Sequence, residues 1–155
     1  MFRIHALPAE PFSPLTTLDT AALAAERATR VTADRTPGFP CRVSLEDAEP
    51  GESLLLLHFT HHDVDSPYRA AGPIFVREAA MQAQPAIGEV PLQLRRRLLS
   101  VRGYDAPGEN MLQAEVLEGE RLADTLTTMF ANPDIAYVHI HIARPGCFAA
   151  RATRA

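Results

Sequence analysis

The stretch Ser53–Glu78, SLLLLHFTHHDVDSPYRAAGPIFVRE, constrains the fold more than any other part of the chain. Its continuous leucine run predicts a central strand over 53–62, covered on both faces at its start. DVDSP then carries the chain into a second apolar strand over 72–79, through Ile74, Phe75 and Val76. A hairpin-like segment of this kind requires a sheet around it. It also holds the densest set of polar groups able to do chemistry: His58, His61, His62, Tyr68 and Arg69. If the first strand stays regular, His61 faces away from His58 and His62, because side chains alternate along a strand.

The flanking sequence supplies the rest of the sheet. Residues 2–7 and 29–33 have strand character. Cys41, Val43 and Leu45 alternate with Arg42, Ser44 and Glu46, which predicts another strand over 41–45 with one apolar and one polar face. Residues 98–104 and 111–117 form a hairpin around DAPGEN. Along 135–143, Val138, Ile140 and Ile142 alternate with Tyr137, His139 and His141, and a last strand covers 147–152. Two helices are expected. One runs over 18–28, with Thr17 or Asp19 as N-cap, and the other over 120–131, where Leu122, Leu126, Met129 and Phe130 fall on one face. Pro91–Arg97 is expected to make one helical turn with proline at its first position. The expected architecture is α+β: a single antiparallel or mixed sheet of about eight strands with two main helices, forming one domain over 1–155.

Composition excludes several functions. No apolar run approaches the roughly 20 residues of a membrane span, and MFRIHALPAEPF lacks the core of a secretory signal, so a cytoplasmic location is expected. A net charge of −4, with no tryptophan and no aromatic-basic stripe, argues against nucleic-acid binding. All 15 basic residues are arginine. Without lysine the chain has no Schiff-base nucleophile, no pyridoxal phosphate anchor and no Walker-type phosphate loop.

The candidate site is built from arginine, tyrosine and histidine. Arg42 on the polar face of its strand, Tyr68 and Arg69 in the loop after DVDSP, and Arg102 and Tyr104 on one face of theirs join His139 in a predicted pocket for a small anionic metabolite. Guanidinium groups bind carboxylate or phosphate through paired donors, phenols add a hydroxyl and a stacking ring, and an imidazole exchanges a proton near pH 7. The competing assignment places these arginines in ion pairs with Asp63, Asp65, Glu46 or Glu78. No cofactor is expected, and no motif fixes a reaction. One alternative is a zinc enzyme in which His139 and His141, on one strand face, chelate the metal with His58, His62 or Cys41 as third ligand. Another is a homodimer or a protein-binding module without catalysis, with Arg95–Arg97 as a contact for an acidic partner. Cys41 is expected as a small buried side chain; a Cys41–Cys147 disulfide and a reactive thiol near His139 are the other assignments.

The segments PGFPCRVSLEDAEPGE, SPYRAAGPIFVRE, LLSVRGYD and YVHIHIARPGCFAAR, spread over 37–151, resemble a family of small bacterial proteins catalogued as a domain of unknown function. The resemblance implies a bacterial, single-domain, cytoplasmic protein. It brings no catalytic residues with it.

Overall fold

The computed structural model describes residues 1–155. The fold is α+β, with eight strands divided between two antiparallel sheets rather than joined in one. The larger sheet runs in the order β1 (Phe2–His5), β8 (Phe148–Arg154), β7 (Tyr137–Ile142), β5 (Leu98–Tyr104) and β6 (Met111–Glu118). The smaller consists of β2 (Ala28–Thr32), β3 (Ser53–His62) and β4 (Ala70–Arg77), with β3 in the middle. The single sheet fails because both edges of β3 are taken by its chain neighbours. The free edge of β4 meets only Cys41 and Arg42, through one parallel bridge between Cys41 and Phe75.

The strand expected over 41–45 is absent, and its alternation has another cause. Cys41, Val43 and Leu45 are buried, but so is Arg42, which is 1 % exposed. The segment is a turn wrapped on both sides, and Leu45 takes a positive φ of 52° that ends any extended run. Its backbone groups are satisfied by distant partners: the Leu7 amide donates to Arg42 O, and the Ala83 amide to Val43 O.

Helices are shorter than their patterns suggest. Asp19 is the N-cap of α1 (Thr20–Ala25), its carboxylate accepting from the Ala22 amide at 2.9 Å, and Arg27 at φ 54° turns the chain into β2. Pro91 caps α2 (Leu92–Arg95) instead of occupying its first turn. A 3-10 turn, Gly119–Arg121, precedes α3 (Leu122–Met129). The apolar face of α3 holds as expected, with Leu122, Leu126 and Met129 fully buried against Val101, Val138, Ile140 and Ala152 of the large sheet. Burial of this kind stabilises by about 1.5–3 kcal/mol per side chain. A second core joins Leu55, Leu57, Ile74 and Val76 of the small sheet to Leu23, Phe12, Cys41 and Val43. No helix is long and apolar enough to cross a membrane.

The α2–α3 junction depends on close backbone approach. The Gly119 amide donates to Arg97 O at 2.8 Å, and a Cβ there would press on the carbonyl oxygens of Leu94 and Arg95. Gly119→Ala is expected to destabilise the protein by about 1–3 kcal/mol in urea unfolding, as overpacking does elsewhere. A change below about 0.5 kcal/mol, the usual range for a neutral surface substitution, contradicts this packing.

Candidate functional site

One face of the large sheet feeds the α3 core and the other carries polar side chains in register. All six residues of β7 are buried, although β7 alternates apolar with polar. Tyr137, His139 and His141 therefore lie in the interior on the face opposite Val138 and Ile140. Pairing with β5 sets Tyr104 against Tyr137, Arg102 against His139 and Ser100 against His141. Pairing with β8 sets Arg151 against the other side of His139, and β1 adds His5 beside Arg151. A row therefore crosses the sheet as His5, Arg151, His139 and Arg102, since directly paired residues share a face.

The small sheet closes over this row through an irregularity. On β3, Thr60 pairs with Ala71 and His62 with Ala70, leaving His61 as an extra residue in a β-bulge. The bulge reverses the alternation. His62 now shares the face of Ala70, Ile74 and Val76, and His61 also reaches the cluster, while His58 stays exposed on the other face. The His61 ring lies 5.1 Å from that of His141, 6.0 Å from that of His139, and stacks on Phe148 at 5.2 Å. The His62 ring is 4.8 Å from that of His139 and 4.3 Å from that of Tyr104.

Hydrogen bonds orient His62. Its Nδ1 donates to the Tyr68 carbonyl at 2.8 Å, so in the neutral ring Nε2 accepts from the Tyr137 hydroxyl at 2.7 Å. The β5–β6 turn covers this pair. Gly108, at φ 73°, passes so near Tyr137 Oη and His62 Nε2 that a Cβ would collide with both, and its carbonyl accepts from Ser66 Oγ at 3.0 Å. Tyr68, 38 % exposed, sits at the rim with its ring 5.9 Å from that of Tyr104.

The electrostatics favour neutral rings beside free cations. Burial, reinforced by neighbouring histidines and Arg151, pushes His139 from 6.5 down to about 2. Burial and then Arg102 push His141 down to about 3, and burial, His62 and Arg102 push His61 to about 4. Burial raises both phenols, against the opposing pull of Arg102 on Tyr104 and of Arg151 on Tyr137. Neither Arg102 nor Arg151 has a carboxylate partner. The Arg151 guanidinium lies 4.2 Å from the centre of the Tyr137 ring.

Of the residues expected to form the site, Arg102, Tyr104, Tyr68 and His139 meet. The three arginines do not. Arg42 is buried in a different place, donating to Phe148 O at 2.7 Å, to Pro40 O, and to Cys147 Sγ at 3.0 Å. Arg69 lies on the surface, paired with Asp63 at 2.7 Å. His61, His62, Tyr137 and Arg151 complete the cluster. Tyr137 was legible from its parity with His139, but the bulge that turns His62 to the same face as His61 leaves no mark in the residue pattern. No three His, Cys, Asp or Glu side chains are arranged to hold a metal ion, and both cysteines are free thiols. Of the basic triplet, Arg97 pairs with the buried carboxylate of Asp47, while Arg95 and Arg96 are exposed.

A groove of about 600 Å³ lies away from this cluster, lined by Glu46, Asp47, Glu49, Glu89, Arg77 and Arg96 among others. Its Arg77 is already paired with Glu46 and Glu52, and carboxylates outnumber free cations there. The histidine cluster is the stronger candidate because Arg102 and Arg151 beside it lack carboxylate partners.

Held neutral in the fold, His139 and His141 bind protons only after unfolding once the pH drops below 6.5. Stability is therefore complete above that value and falls as the pH decreases toward their lowered values. The slope approaches about 1.4 kcal/mol per pH unit for each of the two rings. Urea unfolding at pH 7.5 and pH 5 is expected to show this loss, with His139→Gln reducing the slope by about one proton. A stability that is flat across the interval contradicts burial of neutral rings.

Neither a curated protein nor a solved structure matches the chain. A family model described as a protein of unknown function, DUF1203, matches residues 38–154 and so spans β3 to β8 with every cluster residue named above except His5. The chain belongs to the DUF1203 family.

Proposed function

We propose that the protein binds a small anionic ligand on the polar face of its large sheet, between Arg102 and Arg151. The observation that carries this reading is the register itself: two guanidinium groups without carboxylate partners flank a neutral imidazole, His139, on adjacent strands. Unpaired cations next to buried polar rings favour an oxyanion, and a guanidinium fork presents two parallel donors to a carboxylate or phosphate. Tyr68 and Tyr104 add phenol rings at the edge. Arg42 and Arg69, already engaged with protein groups, lie outside this ligand set.

Titration calorimetry with inorganic phosphate and with malate tests the reading. Saturable binding near one equivalent is expected, and Arg102→Gln should weaken it about 10- to 100-fold, the loss that follows removal of a charged hydrogen-bonding partner. Arg69→Gln should leave it unchanged. Equal affinities for the wild type and Arg102→Gln contradict the assignment.

Self-association is a second reading, favoured by the edge strand β6. It exposes Leu112 at 43 % and Val116 at 65 %, a combination that edge strands usually avoid. Light scattering is expected to show a dimer that Val116→Lys dissociates. A monomer at the highest soluble concentration rejects it.

A further inference from the structure

Three ring nitrogens in the cluster are buried without a hydrogen-bond partner: Nδ1 of His61, Nδ1 of His139 and Nε2 of His141. Native interiors rarely leave such groups unmet. The polarity of one is fixed. His141 Nδ1 lies 3.1 Å from the Gly146 carbonyl, which can only accept, so the hydrogen sits on Nδ1 and the neutral ring offers a bare lone pair at Nε2. A fully ionised oxyanion has no hydrogen to donate to it. The other two rings have no such constraint and can each present an N–H.

A hydroxyl group combines one donor with two acceptor lone pairs. The rings stand with their centres 5.1, 6.0 and 6.2 Å apart, and together they offer one acceptor, His141 Nε2, and two rings able to donate, the complement of a hydroxyl. Arg102 faces these same rings: it pairs with His139 across β5 and β7, and its charge acts on both His61 and His141. Charged head and hydroxyl therefore have adjacent, chemically distinct receivers.

We propose that the anion held by Arg102 and Arg151 carries a hydroxyl close to its charged head, as short hydroxycarboxylates and hydroxyl-bearing phosphate esters do, and that His61, His139 and His141 receive this hydroxyl. The inference rests on the anion-binding reading above. Its selectivity comes from His141, because a ligand without the hydroxyl leaves a buried acceptor unmet.

Matched pairs test it by titration calorimetry at pH 7.5 with the full chain: malate against succinate, glycolate against acetate, and glycerol 3-phosphate against propyl phosphate. In at least one pair the hydroxyl-bearing member is expected to bind about 10-fold tighter or more, since a site built to hydrogen-bond a hydroxyl discriminates strongly against its absence. The carboxylate and phosphate pairs separate the two sources of charge. His141→Phe should abolish the discrimination while the hydroxyl-free member keeps its affinity. Because a buried substitution can impair folding, nitrogen-15 spectra of the wild-type histidines supply an independent readout: the His141 Nε2 resonance should shift to lower frequency as it accepts the hydrogen bond. Equal affinities within every pair, still dependent on Arg102, overturn the hydroxyl inference and leave the anion site standing. No binding by any of the six overturns both. A His141 resonance unmoved at saturation assigns the three nitrogens to an ordered water and likewise overturns the inference.

Discussion

The structure depends on covering the polar face of β7. An inner strand flanked by β8 and β5 has no edge to expose, and its Tyr137, His139 and His141 cannot turn to solvent without carrying Val138 and Ile140 out of the α3 core. Something must cover them, and an apolar cover would leave hydroxyl and imidazole groups unmet at about 1–3 kcal/mol each. The cover is itself polar. His61, His62 and the Tyr68 carbonyl come from the small sheet and its loop, and the Gly108 turn from the β5–β6 hairpin. The β3 bulge makes this possible, because it turns two consecutive histidines toward a face that a regular strand would offer to only one.

Arg42 solves a different problem. A guanidinium that is 1 % exposed is expensive to desolvate, and burial accordingly depresses its pKa. Its donors go to the carbonyls of Phe148 and Pro40 and to the Cys147 sulfur, tying the 40–47 turn to the start of β8. The same turn is fixed from the far side by Asp47 and Arg97, both largely buried. With these ties the turn needs no strand pairing beyond two isolated bridges, Pro40 with Asp47 and Cys41 with Phe75, and Phe148, held through its carbonyl, keeps its ring stacked on His61. Arg42 thus acts on the histidine cluster through Phe148 and not through a ligand.

How much of this could be read from the residues follows from the range of the forces involved. The strands of the β5–β6 hairpin, β7 and the leucine-rich β3 were legible because burial on a defined face imposes a period, and α3 because Leu122, Leu126 and Met129 recur at helical spacing. Cys41–Leu45 shows the limit. Its apolar residues are buried at alternate positions as predicted, yet Arg42 between them is buried too, and two of its three partners, Phe148 and Cys147, lie about a hundred residues away. The division into two sheets and the β3 bulge are equally nonlocal, being matters of which edges find which partners. For the site, Arg102, Tyr104 and His139 share parity with their strand neighbours and could be grouped. Arg151 could be grouped with them only once β8 was known to pair with β7.

The cluster is also electrostatically unfinished in a way that ties its parts together. Arg102 and Arg151 help to hold the nearby histidines neutral, because a proton on His139 or His141 would add a third positive charge to a row that has no carboxylate. The neutrality of the rings in turn spares the guanidinium groups a third like charge but leaves them without a counter-charge. An anion between the arginines would change both terms at once. It would screen the cations from the rings and raise the histidines toward their ordinary value of 6.5, so that ligand binding and proton uptake become linked equilibria with mutual reinforcement. The guanidinium groups stay charged throughout the accessible range, and the histidines are the only members of the row whose protonation can respond.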